Sequence, residues 1–124
     1  VNKKRPVNLD LTTIKFPPMA IASILHRISG LALFLLFPIV LYYLELSLAS
    51  PASFIHLQST LSGIGAKLIL WAFSAALIYH LLAGIRHLIM DAGYGEHLDS
   101  GRKSAIFVII AAIILTLLLG FWIW

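Results

Sequence analysis

Hydrophobic positions along this chain gather into three long runs instead of alternating with polar ones. The first extends from Ala20 to Leu48 and is free of charge between Ile28 and Leu44. The second covers Leu68 to Ile85, and its helical pattern continues to residue 92. The third, from Ala105 to Trp124, carries no charge. A helix needs about 20 apolar residues to cross a bilayer. Hydrocarbon leaves backbone groups no partner but each other, so only helices and closed barrels span it. The pattern predicts an all-α membrane protein with transmembrane helices at 20–48, 68–92 and 105–124, after a polar arm at 1–19.

The breaks between runs are punctuated. Pro17-Pro18 stops a helix from continuing out of the arm into the first span. Ser50-Pro51-Ala52-Ser53 ends that span, with Ser50 or Ser53 as a cap. A weak pattern from Phe54 to Ser62 fits a short interfacial helix. Gly93-Tyr94-Gly95 closes the extension of the second span, and Phe121, Trp122 and Trp124 set aromatic rings at a membrane boundary. No internal repeat divides the chain, so one domain accounts for all of it.

Composition sharpens this picture. The 124 residues are 60% hydrophobic and 11% charged, which is too apolar for a soluble domain of this size. The absence of cysteine excludes disulfides, thiol chemistry and iron–sulfur ligation by this chain. The polar opening from Val1 to Thr13 lacks the apolar run of a secretory signal. Lys3, Lys4, Arg5, Lys15 and Arg27 precede or enter the first span, and Arg86, Arg102 and Lys103 separate the second from the third. Only Lys67 belongs to the other side, a ratio of eight to one. By the positive-inside rule the N-terminus and the 86–103 region are expected to be cytoplasmic, or on the matrix side in a mitochondrion, with the C-terminus across the membrane. The net charge of +4 is therefore a topology signal. Basic residues divided around spans make no nucleic-acid patch.

Two polar clusters interrupt the apolar pattern. His80 stands in the middle of the second span, where each ring nitrogen needs a partner. It therefore faces another helix, a water-filled cavity or a cofactor, and neutral imidazole is a common haem ligand. His80, Gly84, His87 and Asp91 recur at helical spacing, with Ala72 and Ala76 extending the stripe. One interpretation is a tight helix seam with a hydrogen-bonded histidine; the other is a flat macrocycle against that seam with His80 on its iron. In the first span, Ser23, Arg27 and Gly30 share a face flanked by His26. Arg27 is either a headgroup anchor or a partner for a carboxylate, phosphate or carbonyl oxygen.

At these residues the chain resembles a known family, the cytochrome b membrane-anchor subunits of succinate dehydrogenase, respiratory complex II. Two motifs carry the resemblance. One runs from Arg5-Pro6-Val7 through Pro18 to Ser23-Ile24-Leu25-His26-Arg27-Ile28-Ser29-Gly30; the other is His80-Leu-Leu-Ala-Gly84-Ile85-Arg86-His87-Leu88-Ile-Met90-Asp91-Ala-Gly93. Together they cover nearly the whole chain and resemble the proteobacterial branch with its cytochrome b556 subunits.

The resemblance implies a six-helix anchor bundle, formed with a second membrane-anchor subunit, that holds one haem b. It implies that His80 is an axial ligand to the haem iron and that the partner anchor supplies the other. It places Ser23 and Arg27 in the ubiquinone pocket, His26 and Arg27 near the haem propionates, Ile24 and Phe16 in the pocket wall, and Asp91 near its mouth. It implies an iron–sulfur subunit and a flavoprotein subunit carrying the clusters and FAD, with the complex in the bacterial inner membrane. Electrons from succinate oxidation then reach ubiquinone. A fumarate reductase anchor working in reverse, a purely structural membrane protein and a channel are the alternatives. Three spans with one buried histidine offer a channel no continuous polar path, though an oligomer could.

Overall fold

A computed structural model describes residues 4–124, so Lys3 of the charge pattern lies outside the described residues. Four helices follow in order: α1 (Pro18–Ala49), α2 (Pro51–Leu61), α3 (Ile64–Asp91) and α4 (Leu98–Ile123). Three of them, α1, α3 and α4, are long and apolar enough to cross a membrane. No strand occurs among the described residues.

Local chemistry sets each end. Pro17 is extended and Pro18 occupies the first turn of α1, where its missing N–H costs nothing. The arm before it turns at Asp10, whose carboxylate accepts from Thr12 Oγ1 at 2.7 Å and Thr12 N at 3.0 Å. Those bonds, the hydroxyl's first, hold the Asp10 carboxyl below its ordinary 3.8. Their support of the turn is complete above that ordinary value and is lost as pH falls through the lowered one.

Between α1 and α2 stands the single residue Ser50, which ends one helix and caps the next. Ser50 Oγ accepts from Ser53 N, and Ser53 Oγ accepts from Ser50 N, each at 3.0 Å. This reciprocal box starts α2 at Pro51, ahead of the Phe54 that its hydrophobic pattern marks. At the end of α3, Gly93 takes φ +92°. Its N–H donates to Met90 O, and the Tyr94 N–H donates back to Ile89 O at 3.2 Å. This left-handed stop requires glycine's freedom.

α3 and α4 begin before the apolar runs that they contain. Lys67 lies in the first turn of α3 after Gly63, and Asp99, Arg102 and Lys103 lie in the first two turns of α4. Hydropathy marks what hydrocarbon can cover, whereas helical bonding continues into the polar boundary on either side.

α3 packs centrally, against α1 on one side and α4 on the other, while α1 and α4 also meet. The buried positions are small: Ala22 and Ser29 on α1, Ala66, Ala76 and Ala83 on α3, and Gly101, Ala105, Val108, Ala112 and Gly120 on α4. Lipid tails are as apolar as leucine, so membrane helices associate through close backbone approach instead of through large apolar side chains. Ala76 belongs to this seam; Ala72, on the expected His80 stripe, faces outward instead. The large residues do the same: Phe34, Phe107 and Phe121 are more than two-thirds exposed.

Side-chain donors tie the seams. Trp71 Nε1 donates to Thr116 O at 2.8 Å, and the ring passes so close to Gly120 that an added Cβ would lie 2.9 Å from Nε1. Arg86 belongs to α3 itself. Its Nε donates to Ser104 Oγ at 2.9 Å and its Nη2 to Gly101 O at 3.1 Å. That geometry turns Arg86 toward α4.

Candidate functional site

The α1–α3 contact brings the two histidines of the polar clusters together. His26 and His80 have ring centroids 4.3 Å apart and planes tilted by 31°. Gly30 makes this approach possible, because a Cβ there would stand 3.1 Å from His80 Cε1. Gly30 therefore faces α3 with His26, and not outward with Ser23 and Arg27 as the shared-face pattern has it.

The His80 ring is oriented through one nitrogen. Nδ1 lies 3.1 Å from His26 O and 3.0 Å from Ser29 Oγ. Ser29 Oγ gives its own proton to His26 O at 2.7 Å. Its remaining role toward His80 is acceptor, so Nδ1 is the protonated nitrogen and donates to both oxygens. Nε2 is then the unprotonated nitrogen. It makes no hydrogen bond within the described residues and carries its lone pair at the side of the ring away from α1's carbonyl.

His80 borders an open groove of about 390 Å³ with His26, Leu81, Gly84, Ile85, His87 and Leu88. Gly84 presents no side chain to it. His26 Nε2 is buried without a hydrogen-bond partner among the described residues, and a Cβ on Gly84 would come 3.7 Å from it. Buried polar atoms of this kind are costly unless a further group satisfies them.

These observations meet the requirements of a haem site. A ligating histidine fixes its tautomer by donating its other N–H to a carbonyl, leaving the opposite nitrogen for the metal. A flat macrocycle needs a face without bulky side chains, which Gly84 provides in this groove. The orphaned His26 Nε2 offers a donor or acceptor to a polar substituent. The residues present fit the group, and the groove's openness fits a second wall supplied by another chain.

The remaining candidates lie apart from the histidine pair. Ser23 and Arg27 are exposed on α1, and Arg27 has no ion-pair partner among the described residues. Ile24 is 41% exposed and Phe16 37% exposed, so neither is closed into a pocket by this chain. Asp91 sits at the end of α3, with its carboxylate 3.4 Å from His87 Nε2 on the solvated surface. A pocket assembled from Ser23, Arg27, Ile24 and Phe16 needs surfaces from other subunits.

Two participants escape a reading of the motifs alone. Ser29 holds the His80 ring, and its signal was a hydroxyl at mid-span three residues after a histidine. Tyr79 donates its hydroxyl to Ala22 O at 2.7 Å. Its signal was a phenol within an apolar run, which requires a partner.

Comparison with known proteins agrees with the motifs. Residues 1–119 match the model of the succinate dehydrogenase/fumarate reductase transmembrane subunit family. A succinate dehydrogenase cytochrome b556 subunit of Coxiella burnetii is 51% identical over 125 residues, spanning 100% of both chains. Its counterpart in Paracoccus denitrificans is 35% identical over 114 residues, 92% of this chain and 88% of that one. A cytochrome b560 subunit of Reclinomonas americana is 34% identical over 123 residues, 95% of this chain and 85% of its own length.

Proposed function

Since the chain belongs to the family of succinate dehydrogenase cytochrome b556 membrane subunits, we propose that it ligates haem b through His80 and forms part of a ubiquinone-reducing site with Ser23 and Arg27. The observation that carries the reading is the His80 ring itself. Its Nδ1 donates to the His26 carbonyl, which directs Nε2 to act as ligand. When bound, haem b would supply one-electron redox capacity.

The rest is the work of this chain's side chains. His26 and Arg27 would hold the propionates, since among the described residues His26 Nε2 has no hydrogen-bond partner and no carboxylate pairs with Arg27. Ser23 donates to a quinone carbonyl, and Arg27 stabilises negative charge on the quinone as it is reduced. Ile24 and Phe16 form apolar wall, and Asp91 lies near the mouth. The exposed face of α1 and the groove would accept a second membrane-anchor subunit, which would supply the haem's other ligand and complete a six-helix bundle. An iron–sulfur subunit and a flavoprotein subunit dock on the basic side and deliver electrons from succinate. That side is cytoplasmic in a bacterial inner membrane, and Trp124 is periplasmic.

The testing experiment is a dithionite-reduced minus oxidised absorption spectrum of the complex, purified through a tag on this chain. A b-type signal that is lost or shifted in His80→Leu supports the ligand assignment. An intact partner complex with an unaltered signal in His80→Leu overturns it.

A further inference from the structure

The hydroxyl of Tyr79 makes a second tie between α3 and α1, next to that of His80. Tyr79 and His80 are consecutive, yet both donate to α1. Tyr79 Oη gives its proton to Ala22 O at 2.7 Å, and His80 Nδ1 lies 3.1 Å from His26 O. The two acceptors are four residues apart, about 6 Å along the helix axis. Two points separated by one turn fix both the height and the rotation of α1 against α3. Ala22 is 2% exposed, so the helices are in contact where the bond forms. The Ala22 carbonyl accepts the phenol proton with its second lone pair, because the first serves the helix.

The clamped turn is the one that carries Ser23 and Arg27. Each follows directly after a held carbonyl: Ser23 after Ala22, Arg27 after His26. The His80 end of the clamp has additional support, since Ser29 Oγ bonds the same carbonyl at 2.7 Å. The Ala22 end depends on Tyr79 alone among side chains of the described residues. Slippage there would move Ser23 before it moved His80.

We propose that Tyr79 is a positioning residue for quinone reduction, holding Ser23 at its working height through the Ala22 carbonyl. Its hydroxyl bonds the Ala22 carbonyl and acts through α1. The proposal rests on the quinone-site reading given above. Tyr79→Phe removes only the hydroxyl and keeps the ring that fills the α1–α3 space.

The test is steady-state ubiquinone reduction by the assembled complex in membranes, for Tyr79→Phe, Ser23→Ala and the double variant, beside dye-linked succinate oxidation and the haem spectrum. The expected result is a ubiquinone KM raised roughly three- to tenfold in Tyr79→Phe, the factor corresponding to one lost interhelical hydrogen bond. Dye-linked activity and the haem spectrum stay unchanged. In the Ser23→Ala background, Tyr79→Phe adds nothing further, because its effect runs through Ser23. An unchanged KM in Tyr79→Phe, with Ser23→Ala defective, overturns the positioning role and leaves the quinone site standing. Equal, additive losses in both backgrounds overturn it too, by showing a general loosening. Normal kinetics in Ser23→Ala refute the quinone-site reading itself, and the positioning role with it.

Discussion

Arg27 is a cation near the start of the first crossing helix that pairs with no carboxylate among the described residues. Arg86 is spent on Ser104 and Gly101, and Lys103 pairs with Asp99 at 3.0 Å. Arg27 is exposed beside Ser23 and has neither. Arg27→Ala is therefore expected to lower quinone reduction about 100-fold, the usual loss when one charge-stabilising donor is removed. Succinate oxidation measured with an artificial dye should remain near normal. Comparable quinone activity in variant and parent would remove Arg27 from the site. At this scale the sequence was partly legible. A histidine within hydrocarbon announces itself because its solvation demand has no apolar answer. Which atom answers the demand was not legible: a backbone carbonyl has no letter in a sequence. Hence Ser29 and Tyr79, both of which aim at α1 carbonyls, stood out only once the helices were side by side.

Helices pair here through small residues, and that makes each seam sensitive to single methyl groups. At Gly120 a Cβ would meet Trp71 Nε1 at 2.9 Å and Cε2 at 3.0 Å. The indole cannot retreat freely, because it donates to Thr116 O and rests edge-on against Trp124 at 5.8 Å. Gly120→Ala is expected to cost about 1–3 kcal/mol through overpacking. Gly65→Ala, where nothing lies within 4 Å, serves as the control. Denaturant titration in mixed micelles, following Trp fluorescence, measures both; equal stability of the two variants would contradict the seam. Long apolar runs made the three crossing helices legible. Their pairing was less so, because Ala72 and Ala76 look alike in sequence while only Ala76 is buried. α2 was faint for a different reason: eleven residues with mixed polarity carry little periodic signal, and its start is set by the Ser50–Ser53 box.

The whole molecule presents an unusual balance. Its buried residues are nearly all small, while Phe34, Leu48, Phe107, Phe121 and Trp122 are 70–89% exposed. Such a surface is stable only against lipid or another apolar helix, in keeping with a membrane subunit that assembles with others. The distribution of basic residues gives the expected orientation. A periplasm-dependent phosphatase fused after Trp124 should be active, and one inserted at Gly95 should be silent. The reverse pattern would invert the topology and overturn the proposed docking side. The side-to-side expectation comes from charge counts alone, and the phosphatase fusions test it. The partner's share of the groove was not, because residues that another chain would contribute have no trace in this one.

The ties between helices have a consequence for how this chain can change over generations. Trp71, Tyr79, Ser53 and Arg86 all reach across to main-chain oxygens, at Thr116, Ala22, Leu46 and Gly101 respectively. Every residue carries such an oxygen, so substitution at the receiving position does not erase the bond. What the receiving position must conserve is bulk, and what the giving position must conserve is chemistry. A library of single variants should therefore sort the two ends of each tie differently. Small-for-small exchange passes at positions 22 and 101, whereas at positions 71, 79 and 86 only a side chain that still offers a proton at the same reach will do.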